Sequence, residues 1–213
     1  MRSSLINKHW SQTFLAVAAQ FLQHGASIII LPIIVFSFSP EAIGLWYIIV
    51  SFQSGLFLMD MGFTNSFSRA LAQAFSGVES LKEVGWLETE NDKPNHSLVI
   101  RIIKRMKAFF MMTGFASFFI MLFGGILYFN FLDLREFNNN QINLICFLAA
   151  FAIAIQLFGQ WVSACLIGAG LTYQNQISIL VSRLIFLLFG LLSIFSGFGI
   201  FGLLVSNLVG NIV

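Results

Sequence analysis

One uninterrupted stretch constrains this chain more than any other: "AFFMMTGFASFFIMLFGGILYFNF", Ala108 to Phe131, without a single Asp, Glu, Lys or Arg. A helix of roughly 20 apolar residues is what a bilayer core requires. A second charge-free stretch separates Glu136 from Arg183. A water-soluble domain carries about a quarter charged residues, whereas this chain carries 9 % against 58 % hydrophobic residues. The apolar runs are continuous and lack the period of two that barrel strands show. In lipid every backbone N–H and C=O must find its partner within the segment, so the runs are helices. The expected fold class is therefore an all-α integral membrane protein.

Charge-free segmentation predicts about six transmembrane helices in one domain, residues 1–213. The spans fall at about 13–38, 42–61, 108–131, 142–167, 177–195 and 199–213. "GAGLTYQNQ" divides the fourth from the fifth, and "SGFG" marks the turn before the last. The sixth is short, about 21 Å of helix, and reads as a span cut off. Pro32 predicts a kink in the first span. "AVA" at Ala16–Ala18 has almost no apolar core before it, so the first span reads as retained rather than cleaved. Cys146 and Cys165 share the fourth span about 28 Å apart and read as buried apolar thiols.

Basic residues set orientation. Arg2 and Lys8 precede the first span, and Arg69, Lys82, Lys93, Arg101, Lys104, Arg105 and Lys107 follow the second. Arg135 alone stands on the other side. The N-terminus and the loop at about 66–107 are thus expected in the cytoplasm, with "SFSPE" and "LDLREFNNN" outside. The net charge of +2 gives no reason to expect nucleic acid. In "HSLVIRIIKRMKAFF", Leu98, Ile102, Ile103 and Met106 oppose Arg101, Lys104, Arg105 and Lys107. That pattern predicts an amphipathic helix on the inner leaflet, its bases toward anionic membrane lipids. Ordinary anchoring by positive charge explains the same bases.

Polar residues at helical spacing inside a span point to a helix neighbour or a wet cavity. Thr13, Gln20, His24 and Ser27 share one face of the first span, with Gln23 nearby. Trp46, Gln53 and Asp60 recur at intervals of seven in the second. Gln156, Gln160 and Ser163 form a stripe in the fourth. Three stripes with ionisable groups favour a polar passage over hydrogen bonding in a structural bundle. Asp60 reads either as a coupling site or as a cap ending its helix. Arg69 reads as its partner across a bend at Gly62, or as an anchor. Arg183 reads as a fork for an anion inside a cavity, or as a snorkelling side chain. His24 titrates near neutral pH when solvated, or is a bonded structural histidine.

"LPIIVFSFSPEAIGLWYIIVSFQSGLFLMDMGFTNSFSRALAQAFSGVESLKEVG", Leu31 to Gly85, resembles the O-antigen flippases among the polysaccharide transporters. The proline of the first span, "PEAIGLWY", "DMGFTNSFSR" and "GVESLKEVG" carry the resemblance, and "KPNHSLVIRIIKRMKAFF" extends it. It covers residues 10 to 130; the later spans match by hydropathy alone. The resemblance implies one lobe of the two-lobe multidrug/oligosaccharidyl-lipid/polysaccharide exporter fold. It implies alternating-access, ion-coupled flipping of a polyprenyl-pyrophosphate-linked sugar unit across the bacterial inner membrane. It implies roles for Asp60 and Arg69, and partners among glycosyltransferases or a polymerase. Family members have about twice as many spans, so the expectation is a partial chain. Arg183, Gln53, Gln156, Gln160 and His24 are site candidates on physical grounds only.

Two alternatives stay open: a multidrug exporter of the same superfamily, and a non-transporting structural partner in an envelope-assembly complex. The chain offers no nucleophile–base pair, metal cluster or phosphate loop, so neither an enzyme, a metal nor a cofactor is expected.

Overall fold

A computed structural model describes residues 17–22, 25, 28–78, 94–132 and 134–212. Among them every regular element is a helix. In chain order these are α1 (Ile28–Ser37), α2 (Pro40–Phe57), α3 (Phe63–Phe75), α4 (His96–Phe131), α5 (Asn139–Gly168), α6 (Thr172–Phe195) and α7 (Gly199–Ile212). Residues 17–22 are helical as well. Four stretches are long and apolar enough to cross a membrane: Pro40–Phe75, His96–Phe131, Asn139–Gly168 and Thr172–Phe195. Ile28–Ser37 and Gly199–Ile212 are shorter apolar helices.

Local chemistry sets the helix ends. Ser39 caps α2, its hydroxyl accepting the N–H of Ala42 at 3.2 Å, and Pro40 takes the first turn, where no N–H is needed. Asn95 caps α4 by accepting the N–H of Leu98 at 3.1 Å. Asn138 and Gln141 form a capping box at the start of α5. The apolar stretch Pro40–Phe75 is broken at Met61 (φ 46°) and Gly62 (φ 77°), after a 3-10 turn at Leu58–Asp60. Glycine enters the left-handed region freely, while methionine there costs about 1–2 kcal/mol. The bend expected at Gly62 is therefore present.

The segment expected as a loop over 66–107 is largely helical where it is described. It holds most of α3 and the first twelve residues of α4. α4 is one rod of 36 residues, about 54 Å long, so the amphipathic segment and the third span are continuous. Leu98, Ile102 and Met106 are buried, and Arg101, Lys104, Arg105 and Lys107 are exposed, as the pattern predicts. The apolar side is covered by protein and not left to the leaflet. Leu71 and Ala74 of α3 and Ala164 of α5 pack on it in a separate small core. Protein contact satisfies the stripe before lipid has to.

α5 is the central post and touches α2, α3, α4, α6 and α7. Close approach depends on small residues, since lipid supplies no hydrophobic drive between helices. A Cβ on Gly114 would stand 3.1 Å from the carbonyl of Ala154, and one on Gly210 would stand 3.0 Å from that of Ser182. The main core joins Ile30, Leu45, Ile49, Ile145, Ile153 and Leu203 from four helices. Cys146 is buried against Gly125, Cys165 is half-buried, and both are free.

Candidate functional site

A register links α2 to α5. Ser39 donates to the carboxylate of Glu136, the N–H of Glu136 donates to Glu41 at 2.9 Å, and Gln53 Nε2 donates to the carbonyl of Ala149 at 3.2 Å. The three pairs are separated by 97, 95 and 96 residues. A constant offset means parallel helices advancing together, at 1.5 Å per residue. The same offset carries Asp60 to the depth of Gln156.

Two further bonds place α6 and α7. Asn207 Nδ2 donates to Gln53 Oε1 at 3.4 Å, and Asn211 Nδ2 donates to the carbonyl of Ala152 at 3.3 Å. α7 thus runs parallel to α5. Ser182 of α6 donates to the carbonyl of Gly210, so Arg183 lies at about the depth of Ala152. Gln176, seven residues earlier, lies about 10 Å nearer the end where α3 packs. That is the depth of Gln156 and Gln160.

The side chains share faces as well as depth. On α5, Gln156, Gln160 and Ser163 fall within about 40° of Ala149, the residue that receives Gln53. All three are half-buried. On α6, Gln176 and Arg183 fall on the stripe of Leu187, Gly190 and Ile194, which are buried. Arg183 is the twelfth residue of its helix and is half-buried on the bundle side. Gln176 Oε1 is buried with no hydrogen-bond partner among the described residues. A buried amide oxygen left dry costs about 1–3 kcal/mol.

Each site residue expected from the sequence can now be placed. Gln53 is interhelical glue, the centre of a ladder through Asn207 to Asn211, whose Nδ2 donates to Asn207 Oδ1 at 3.4 Å. Asp60 caps: its Oδ1 accepts the N–H of Thr64 at 3.1 Å and the Thr64 hydroxyl at 2.9 Å. That contact satisfies a free N–H at the start of α3 and sets a negative charge on its positive end. Arg69 is exposed on α3, and among the described residues no ion pair joins it to Asp60, which leaves the anchor as the reading that fits its placement. Gly62 turns the chain, but the nearer Thr64 claims the carboxylate. His24 lies outside the described residues, as do Thr13, Gln23 and Ser27, while Gln20 is exposed. Trp46 is buried in the core. Gln156 and Gln160 lie at the depth of Gln176 and Asp60, all of them half-buried, and Arg183 lies nearer the ladder level.

Sequence reasoning missed Asn207, Asn211 and Gln176. Asn207 and Asn211 sit at i, i+4 in an otherwise apolar helix, which signals a polar contact. Gln176 stood in "GAGLTYQNQ", a stretch whose polarity reads as a turn, yet α6 begins at Thr172.

The described residues form an all-helical bundle with four stretches long and apolar enough to lie in a membrane. Comparison of the chain with protein-family models, with curated proteins and with solved structures returns no match.

Proposed function

We propose that the chain is a six-span lobe of a lipid-linked oligosaccharide flippase in a bacterial inner membrane. The sequence resemblance over residues 31 to 85 names the class of cargo. The observation that carries the reading is the shared depth of Asp60, Gln156, Gln160 and Gln176, with Arg183 on the same stripe of α6 as Gln176 and about 10 Å further from the basic end. Amides suit sugar hydroxyls, as each offers a donor and an acceptor. A guanidinium donates two parallel bonds to a phosphate. Arg183 on the inward stripe thus meets the pyrophosphate, the amides meet the sugars, and the polyprenyl tail stays in the bilayer.

Alternating access needs one end shut while the other is open. The Gln53–Asn207–Asn211 ladder and the Ser39–Glu136–Glu41 contacts close one end. The opposite end carries Arg69, Arg101, Lys104, Arg105 and Lys107. Basic residues collect in the cytoplasm, so that end faces inward, with the N-terminus on the same side. Asp60, at the break in the second span, is the ion-coupling candidate. Glycosyltransferases and a polymerase of the same pathway are the expected partners.

The test is a deletion strain complemented with variants. Without the chain, lipid-linked sugar units accumulate on the inner leaflet and surface polysaccharide is lost. Wild type restores it; Arg183→Ala does not, and Arg183→Lys restores it only in part because the fork is gone. Raised drug susceptibility with normal surface polysaccharide indicates a multidrug exporter instead. Normal flipping in the deletion strain, with crosslinks to glycosyltransferases, indicates a structural partner.

A further inference from the structure

An apolar groove of about 270 Å³ runs between α4 and α5 on the outside of the bundle. Met111, Gly114 and Phe115 line it from α4, and Phe151, Ala154 and Phe158 from α5. Its floor exists because Gly114 lacks a Cβ, which would stand 3.1 Å from the carbonyl of Ala154. Long side chains, most of them exposed, form its walls.

The groove has a charged mouth. Lys107 Nζ sits 5.4 Å from the ring centroid of Trp161. On α4, Lys107 shares a face with Met111 and Gly114, four and seven residues on. On α5, Trp161 shares a face with Phe158 and Ala154. The pair therefore closes the same groove at its end. Lys104, one turn back, lies near that face, with Arg101 next to it, and all three bases are exposed. Charge stops at Lys107, and residues 108–131 carry none. Lys107 and Trp161 consequently mark the level of the headgroups, where tryptophan and lysine concentrate. An apolar slot below that level, with bases above it, matches one chemistry: a phosphate-bearing head on a hydrocarbon tail.

We infer that the α4–α5 groove is a binding site for an anionic membrane phospholipid, its acyl chain along Gly114 and Ala154 and its headgroup on Lys107. The site lies outside the bundle and is independent of the polar interior. A lipid held there spans the joint between the apolar part of α4 and its basic extension. It would bias the angle at which α3 and the basic end sit on the membrane.

The test uses the full chain with Trp161 as its only tryptophan, Trp10, Trp46 and Trp86 being changed to Phe. It is reconstituted in phosphatidylcholine vesicles containing either brominated phosphatidylglycerol or brominated phosphatidylcholine. Bromine quenches a neighbouring indole. The expected result is half-maximal quenching by phosphatidylglycerol at about fivefold lower mole fraction, the factor for one lysine at an anionic headgroup. Lys107→Gln, an exposed change, removes that preference. Ala154→Leu fills the groove and lowers quenching by phosphatidylglycerol while Lys107 remains. Equal quenching by both lipids in the unaltered site overturns the inference, as does a preference that survives both variants. Displacement by polyprenyl phosphate at lower mole fraction than unlabelled phosphatidylglycerol reassigns the site to a carrier lipid and overturns the phospholipid assignment.

Discussion

Asn207 of α7 donates its side-chain amide to Gln53 of α2 at 3.4 Å, and Gln53 passes the link to the carbonyl of Ala149 on α5 at 3.2 Å. One glutamine thereby ties three helices. Its residue type alone does not distinguish glue from cavity lining. Its partners decide for glue, and they also fix the depth of everything below it on α2 and α5.

That assignment makes a quantitative prediction. Gln53→Ala and Asn207→Ala each destabilise the chain, and the double variant costs less than the sum. The coupling is expected at about 0.6 kcal/mol, up to about 2. Unfolding in mixed micelles measures the cycle. Zero coupling would return both residues to independent roles.

Docking of α3 depends on Gly168. A Cβ there would stand 2.9 Å from the carbonyl of Ser68 and 2.6 Å from the Leu71 Cβ. Backbone and a side-chain root cannot move aside as a flexible tip can. Gly168→Leu is expected to cost about 1–3 kcal/mol and to expose the α3 segment to protease. Gly159→Leu is the control, since nothing lies within 4 Å of a Cβ at that glycine.

Asp60 carries two readings that one pair of variants separates. As a cap, its loss in Asp60→Ala costs about 0.5–2 kcal/mol, while Asp60→Asn keeps most of the stability because an amide oxygen still accepts from Thr64. As a coupling site, the charge itself matters. Transport is therefore expected to fall in both variants, with thermal stability falling chiefly in Asp60→Ala. Transport tracking stability across the two leaves Asp60 a cap alone.

The long helices were legible because hydrocarbon imposes one rule on every residue it touches, and Ala108–Phe131 obeys it throughout. α3 was not legible as a helix. "FTNSFSRALAQAF" mixes polar and apolar residues, and its apolar face, Phe67, Leu71 and Ala74, is sorted by contact with α4 and α5 and not by lipid. The bend at Gly62 was legible because glycine enters the left-handed region cheaply, but the fate of Asp60 was not. A carboxylate takes the nearest free N–H, here that of Thr64, and nearness depends on the turn's geometry. Stripe spacing puts Gln156, Gln160 and Ser163 on one face of α5, where all three are half-buried. It left Gln53 undecided, since the deciding neighbours, Asn207 and Ala149, lie far away in the chain.

The central claim is that the half of the bundle holding Asp60, Gln156 and Gln176 is hydrated, while the ladder level is sealed. It is tested most directly by thiol labelling in a background with Cys146 and Cys165 changed to Ser. Single cysteines at positions 156, 160 and 176, and at 53, 145 and 207, are exposed to a membrane-impermeant maleimide from each side. Fast reaction is expected at 156, 160 and 176 from the basic side, and slow reaction at 53, 145 and 207. Protection of 156, 160 and 176 equal to that of 145, from both sides and in every state, contradicts it.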